Sequence, residues 1–193
     1  MNEKELIRQA KKGDFEAFSI LINANKEKIY ALVYRLIGNR EDAEDVLQET
    51  FLKAIDNIEK FRGDSAFGTW LHSIAINQVR ALYGKRQQAD LQPIKDYLPG
   101  LNIAQPHGLL SNWKDPHLLL ENKELQTQIN EALNKLPFLH REAFLLRYIS
   151  ELSVKEIAQL IKETEASTKS RIFRARLALR DELATAIKDF YGT

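Results

Sequence analysis

Apolar residues recur at the three- and four-residue spacing of amphipathic helices along almost the whole chain, with one interruption. The interruption runs from Pro93 to Pro116 and holds four of the five prolines of the sequence. Proline and a loss of periodicity both end helices. We therefore predict an all-α fold of two small helical domains joined by a flexible linker, with a helix-turn-helix in the second domain.

These signals divide the 193 residues into a first domain at 1–92, a linker at 93–117 and a second domain at 118–193. Each domain is long enough to bury a core of its own. The linker is not purely polar, since it contains residues such as Leu98 and Trp113. These side chains could pack on the chain's own domains or on a partner, and the sequence leaves both possibilities open.

Residues at the ends of the periodic segments predict the individual helices. Asp14 is a typical N-cap residue, Gly38 is a typical helix terminator, and Ser153 begins a capping-box pattern. In the first domain the predicted helices include Glu3–Lys12 and Ser65–Tyr83. In the second domain they are Glu121–Leu136, Arg141–Ile149, Ser153–Ile161 and Ala166–Phe190.

The composition identifies no partner by itself but excludes several kinds of site. The 28 basic residues nearly balance the 27 acidic ones, yet acids cluster at 41–49 and bases cluster at 169–180. The absence of cysteine excludes disulfides and thiolate metal sites. Because there is no apolar run of about 18 residues and no N-terminal apolar signal segment, we expect a cytoplasmic protein with no membrane insertion of its own.

The segment EDAEDVLQETFLKAI predicts a helix with one acidic face. If its spaced apolar residues, Ile55 among them, face the core, then Asp45, Gln48 and Glu49 lie on the outer face beside Leu52. Such a patch suits a basic protein partner, and the alternative is an ordinary solvated helix face. A helical di-metal site is excluded because no histidine has a glutamate three residues before it.

The next segment, Phe61–Tyr83, combines a basic turn with an aromatic-rich helix. Its sequence GDSAFG has the glycine spacing of a phosphate-binding loop but lacks the required lysine. Aromatic rings beside Arg62 suit stacking on unpaired bases, whereas the alternative of core aromatics accounts for Phe67 and Trp70. A helix that is apolar on two sides is either buried or covered by a partner.

Ser153–Ile161, the turn IKETEA and a basic helix form a helix-turn-helix pattern. The predicted inner stripe of the basic helix is Thr168, Ile172, Ala175, Leu179 and Leu183. Ser170, Phe173 and Arg174 then point outward, flanked by Lys169 and Arg176. These residue types can reach phosphates and base edges in a major groove, and the alternative is a solvated basic helix. The turn departs from the usual pattern, because Lys162 and Glu163 stand where a glycine and an apolar residue are common.

Taken together, DAEDVLQETF, FRGDSAFGTWLHSIAIN and SVKEIAQLI with TKSRIFRARLAL resemble a bacterial RNA polymerase sigma factor. The two-domain form with a short linker is similar to the extracytoplasmic-function (ECF) class. The resemblance covers both predicted domains in order and leaves only the linker unmatched. It implies a protein that binds core polymerase and directs promoter recognition, without enzyme activity, cofactor or metal of its own.

The resemblance also implies roles for individual residues and partners. Asp45, Gln48 and Glu49 would bind the clamp helices of the largest polymerase subunit. Phe61, Arg62, His72 and Asn77 would engage the −10 promoter element, although His72 stands where an aromatic is often found. Lys169, Ser170, Arg171, Phe173 and Arg174 would read the −35 element. The implied partners are core polymerase, including the flap of its second-largest subunit, promoter DNA and an anti-sigma factor.

A one-component transcriptional regulator is the main alternative from another functional class. It would combine an N-terminal helical ligand-binding domain with the helix-turn-helix, and it would bind duplex DNA by itself, usually as a dimer. A sigma factor is instead expected to bind duplex DNA weakly alone and to form a stable complex with core polymerase.

Overall fold

The computed structural model describes residues 2–90 and 126–183. All regular secondary structure in these two ranges is helical, which confirms the predicted all-α fold. The chain divides into two compact units, Met1–Gln92 and Pro93–Thr193. The predicted linker at 93–117 and the predicted continuation of the last helix to Phe190 lie outside the described residues.

The first unit contains four α-helices and a short 3-10 turn in its described part. They are α1 (Glu3–Ala10), α2 (Phe15–Ile37), α3 (Arg40–Asn57), the 3-10 turn Ile58–Lys60 and α4 (Phe67–Asp90). Helix α2 packs against α1, α3 and α4, and α3 also packs against α4. The core between them includes fully buried Ile29, Leu32, Leu36, Leu71 and Ile76.

The helix ends follow the local signals of the sequence. The carboxylate of Asp14 accepts a hydrogen bond of 3.0 Å from the N–H of Ala17 and so caps α2. Gly38 ends the same helix with φ of 75°, a left-handed conformation that costs glycine little. Both predicted ends of α2 are therefore confirmed.

Helix α4 is apolar on two sides because it packs against both α2 and α3. Phe67 and Leu71 on one side and Ile76 and Val79 on the other are all completely buried. This burial decides between the two possibilities left by the sequence, since the core itself covers both sides. One residue of α3 departs from its predicted position, because Ile55 is 38% exposed rather than facing the core.

The second unit contains four described helices. They are α5 (Gln126–Lys135), α6 (Phe138–Tyr148), α7 (Val154–Ile161) and α8 (Glu165–Glu182). Helix α8 packs against α5, α6 and α7, and α6 also packs against α7. Helix α6 begins at Phe138 rather than at the predicted Arg141, because the carbonyl of Pro137 already accepts the hydrogen bonds that start the helix.

The helix-turn-helix is formed by α7, a short turn and α8. Ser153 and Glu156 cap α7 reciprocally, which confirms the predicted capping box. Lys162 ends α7 with φ of 59° and ψ of 46°, so a lysine adopts the left-handed conformation that glycine usually supplies. Thr164 then caps α8 by accepting a hydrogen bond of 3.1 Å from the N–H of Ser167.

Candidate functional site

The outer face of α3 presents Asp45, Gln48 and Glu49 to solvent, as the rotation argument predicts. Two of the nearby acids have intrahelical partners: Glu44 lies 2.8 Å from Arg40, and Glu49 lies 3.5 Å from Lys53. The hydrogen bond and charge of Glu44 raise the pKa of Arg40. The face therefore combines carboxylates, an amide and a few bases, which suits docking to a basic surface.

An apolar groove lies beside this acidic face. It is lined by residues of α2 and α3, including Phe15, Ile22, Gln48, Phe51, Leu52 and Ile55. Phe15 is 69% exposed and Leu52 is 56% exposed. From periodicity alone, Phe15 cannot be separated from the core residues of α2. Its exposure follows from its place at the first residue of the helix.

Of the four residues predicted for the −10 element, two are exposed and two are buried. Arg62 and Asn77 face solvent, whereas Phe61 is 4% exposed and His72 is 3% exposed. The Phe61 ring packs against Phe67 and Trp70, with ring centroids 5.9 and 5.1 Å away. The rings of Phe61 and His72 both lie inside the unit, so in this structure neither ring is exposed for direct contact with a base.

The loop between Phe61 and α4 is therefore exposed, and it lies next to the packed rings of Phe61, Phe67 and Trp70. Arg62 pairs with Asp64 at 3.1 Å, and both side chains are mostly exposed. His72 lies at the other side of the helix start, where its Nδ1 is 2.6 Å from the carbonyl oxygen of Gly68. Phe61 and His72 support the loop and the first turns of α4, and Arg62 and Asn77 remain available for contact.

Helix α1 also contributes to this loop, which no sequence pattern indicates. The ammonium group of Lys11 donates a hydrogen bond to the carbonyl of Phe61. The carboxylate of Glu3 accepts a hydrogen bond of 3.4 Å from the N–H of Phe67. These partners lie 50 and 64 residues apart in the chain, so no local pattern could have indicated them.

The basic face of α8 is arranged largely as predicted. Thr168, Ile172, Ala175, Leu179 and Leu183 are buried. Lys169, Ser170, Phe173 and Arg174 are exposed, and Phe173 has 48% of its surface accessible. Arg171 differs, because its side chain is only 18% exposed and its Nη2 lies 2.7 Å from Oε1 of Glu163 in the turn.

Two family models match the chain, Sigma-70 region 2 over residues 21–89 and Sigma-70 region 4 over residues 126–179. The ECF RNA polymerase sigma factor SigW of Bacillus subtilis is 36% identical over 186 residues, covering 93% of this chain and 96% of SigW. The ECF RNA polymerase sigma-E factor of Escherichia coli K12 is 32% identical over 188 residues, covering 97% of each chain. The chain belongs to the sigma-70 family, within its ECF class.

Solved structures of sigma factors also resemble this chain. CnrH in complex with the cytosolic domain of CnrY has a TM-score of 0.68 at 25% identity, covering 94% of this chain and 97% of CnrH. The sigma factor RpoE of Bartonella quintana, in complex with the anti-sigma factor NepR, has a TM-score of 0.67 at 26% identity, covering 87% of this chain and 97% of RpoE. The chain is thus a sigma factor that directs transcription initiation at promoters, and the alternative of a one-component regulator is not favoured.

Within residues 2–90 and 126–183, no group of three or more histidine, aspartate or glutamate side chains could hold a metal ion. No helix in the same ranges is long and apolar enough to cross a membrane.

Proposed function

We propose that this sigma factor uses a different surface for each step of promoter recognition. The acidic face of α3 binds core polymerase, the loop 61–66 with α4 engages the −10 element, and α8 reads the −35 element. The observation that carries the proposal is the segregation of charge: exposed acids occupy α3 of the first unit, and exposed bases occupy α8 of the second. One near-neutral chain can then attract a basic protein surface and DNA phosphates separately.

On α3, Asp45, Gln48 and Glu49 contact the clamp helices of the largest polymerase subunit. All three are exposed, so they can be replaced without opening the core. Leu52, which is 56% exposed, adds an apolar contact at the centre of the patch. A patch of carboxylates around an apolar residue matches the arrangement of an interface with a polar rim and an apolar centre.

At the −10 element, Arg62 and Asn77 contact the melted strand, and Phe61 and His72 hold the surface that carries them. Exposure supports a direct role for the first pair, and burial supports a positioning role for the second. Arginine suits unpaired DNA because it can pair with a phosphate or stack on a base. The melting itself depends on the polymerase, and the chain supplies binding groups and no reaction chemistry.

At the −35 element, Lys169, Ser170, Phe173 and Arg174 meet the major groove. Their exposure on one face of α8, opposite the buried stripe, supports this assignment. Arg171 stands at the edge of this face because it pairs with Glu163. The second unit also meets the flap of the second-largest polymerase subunit, which would hold α8 over its site while the first unit meets the −10 element.

Control by an anti-sigma factor is also proposed for this cytoplasmic protein. Its support is the similarity to CnrH and to Bartonella RpoE, which were solved with CnrY and with the anti-sigma factor NepR. The exposed apolar groove of Phe15, Leu52 and Ile55 offers surface that such a partner could cover.

Replacement of both Asp45 and Gln48 by alanine tests the assignment of the core-binding face. The double variant is expected to lose the complex with purified core polymerase in gel filtration, because both side chains are lost from the polar rim around Leu52. Its thermal unfolding should match that of the wild type, since both side chains face solvent. Glu16→Ala with Lys12→Ala, on exposed positions outside the acidic face, is the control and should bind core normally. Retention of the core complex by the double variant would refute the assignment.

A further inference from the structure

Helix α1 touches both ends of the exposed loop that precedes α4. At the first end, the ammonium group of Lys11 donates a hydrogen bond to the carbonyl of Phe61, the last buried residue before the loop. A charged donor on a backbone carbonyl is among the stronger hydrogen bonds of a protein. This contact fixes the direction in which the chain leaves the 3-10 turn.

At the other end, α1 supplies a cap that the local sequence lacks. The carbonyl of Ala66 accepts the hydrogen bond from Trp70 at 3.1 Å, so Ala66 stands where Ser, Thr, Asp or Asn would cap the helix. Alanine has no side-chain acceptor. Glu3 compensates from another helix, since its Oε1 accepts from the N–H of Phe67 at 3.4 Å. A carboxylate at this position is also favoured by the helix dipole.

The two contacts act as a pair because they leave from opposite ends of α1. Glu3 and Lys11 are eight positions apart in the sequence. This separation corresponds to about 12 Å along a helix axis. A cleft of about 620 Å³ lies between α1, which forms one wall together with Lys11, and residues 61–66, which form the other wall. The distance between the ends of the loop is thus set by the length of α1.

We propose that α1 is a brace for the loop that meets the −10 element. Lys11 and Glu3 are positioning residues, which act through the backbone of Phe61 and Phe67 to hold Arg62 where the melted strand passes. This inference rests on the proposed function for its DNA partner, but the brace itself can be tested without DNA. It assigns a role to a helix that lies before the matched region 2 segment, residues 21–89.

Tryptophan fluorescence tests the brace in the free protein. The sequence has two tryptophans, so Trp113→Phe leaves Trp70 as the only reporter. The Trp70 ring packs 5.1 Å from the Phe61 ring, next to the carbonyl that Lys11 holds. In this background, Lys11→Met should increase acrylamide quenching of Trp70 by about twofold, because loss of one charge-assisted hydrogen bond loosens the loop. Lys11→Arg keeps a donor and should restore much of the protection.

Lys12→Met is the matched control for charge, because Lys12 is the exposed neighbour of Lys11 in the same turn. It should leave the quenching of Trp70 unchanged. At the other end, Glu3→Ala should loosen the loop, and Glu3→Gln should restore much of the protection because the amide oxygen can still accept from Phe67. Equal quenching in Lys11→Met and Lys12→Met would overturn the brace.

Binding to the melted strand tests the functional part of the inference. The probe is a single-stranded oligonucleotide spanning the −10 element of a promoter whose start site has been mapped with wild-type holoenzyme. Lys11→Met holoenzyme should bind this oligonucleotide about tenfold more weakly, as expected for one charge-assisted hydrogen bond. Its affinity for core polymerase should stay within about twofold, because the exposed face of α3 is untouched.

The dependence of binding on salt separates bracing from a direct phosphate contact of Lys11. A lost phosphate contact lowers the slope of log K against log salt by about 0.7 for single strands. The brace predicts an unchanged slope with weaker binding. A lower slope together with normal Trp70 quenching would overturn the inference. Failure of the wild-type holoenzyme to bind the oligonucleotide would instead overturn the proposed function, whatever Trp70 reports.

Discussion

The ion pair between Glu163 and Arg171 joins the turn of the helix-turn-helix to its second helix, and its removal should change stability and DNA affinity in opposite directions. The atoms lie 2.7 Å apart, and the side chains are 34% and 18% exposed. Exposed ion pairs contribute about 0.2–1 kcal/mol, and hydrogen bonds to charged groups contribute about 1.5–3 kcal/mol. Because this pair is partly buried, we expect Glu163→Gln to lower the free energy of unfolding by about 1 kcal/mol.

Loss of the carboxylate should also release Arg171 for the DNA backbone. In the wild type the guanidinium is engaged by Glu163, and the acid lies close to the face that we propose meets DNA phosphates. Glu163→Gln removes that negative charge and adds one available cation. We therefore expect the holoenzyme to bind a −35 duplex about three- to tenfold more tightly at 0.1 M salt, with a salt slope steeper by about 0.9.

Fluorescence anisotropy with a labelled −35 duplex between about 50 and 200 mM salt measures the affinity of the holoenzyme and its salt slope. Chemical unfolding of the free sigma factor measures the change in stability. Glu165→Gln is the control, because it removes another exposed acid from the start of α8 but leaves the ion pair intact. A charge effect at long range would raise affinity equally in both variants. Weaker binding with an unchanged slope in Glu163→Gln would refute the reasoning, since it would mean that the ion pair itself positions α8.

Two further substitutions test the same unit. Arg174→Ala should weaken binding to a cognate −35 duplex by about 1–3 kcal/mol if its exposed guanidinium reads a base, whereas an equal loss on every duplex in anisotropy titrations would assign it to phosphates. Lys162→Gly should raise the free energy of unfolding by about 0.5–1 kcal/mol, because glycine adopts the left-handed conformation of this C-cap without the strain that lysine carries. A destabilised Lys162→Gly variant in urea unfolding would show that the lysine side chain contributes a contact that outweighs this strain.

Features that depend on neighbours within one helical turn could be predicted from the sequence. Asp14 reaches the N–H three residues ahead, and Ser153 and Glu156 cap each other over the same distance. Whether these helix caps form depends on local geometry alone. The buried stripe of α8 follows for a similar reason, since a regular helix fixes which residues share a face.

Features that depend on packing between distant segments could not be predicted. Periodicity placed Ile55 with the core of α3, but this side chain lines the open groove between α2 and α3 and remains 38% exposed. The residues Phe61 and His72 have the chemistry to contact bases, yet their neighbours in the first unit bury both rings. The sequence around Glu3 predicts only an ordinary helix. The fold brings its carboxylate to the start of α4.

The burial of these rings indicates how the proposed −10 surface is built. A ring that contacts an unpaired base must be exposed, and an exposed aromatic ring in the free protein loses the stabilisation that burial provides. This chain buries Phe61 and Phe67 against the partly buried ring of Trp70, and it exposes Arg62 and the loop residues after it. The aromatic cluster therefore stabilises the free protein, and the short loop above it carries the contacts. Because such a loop has few contacts of its own, its shape must come from its two ends, and α1 holds both of them.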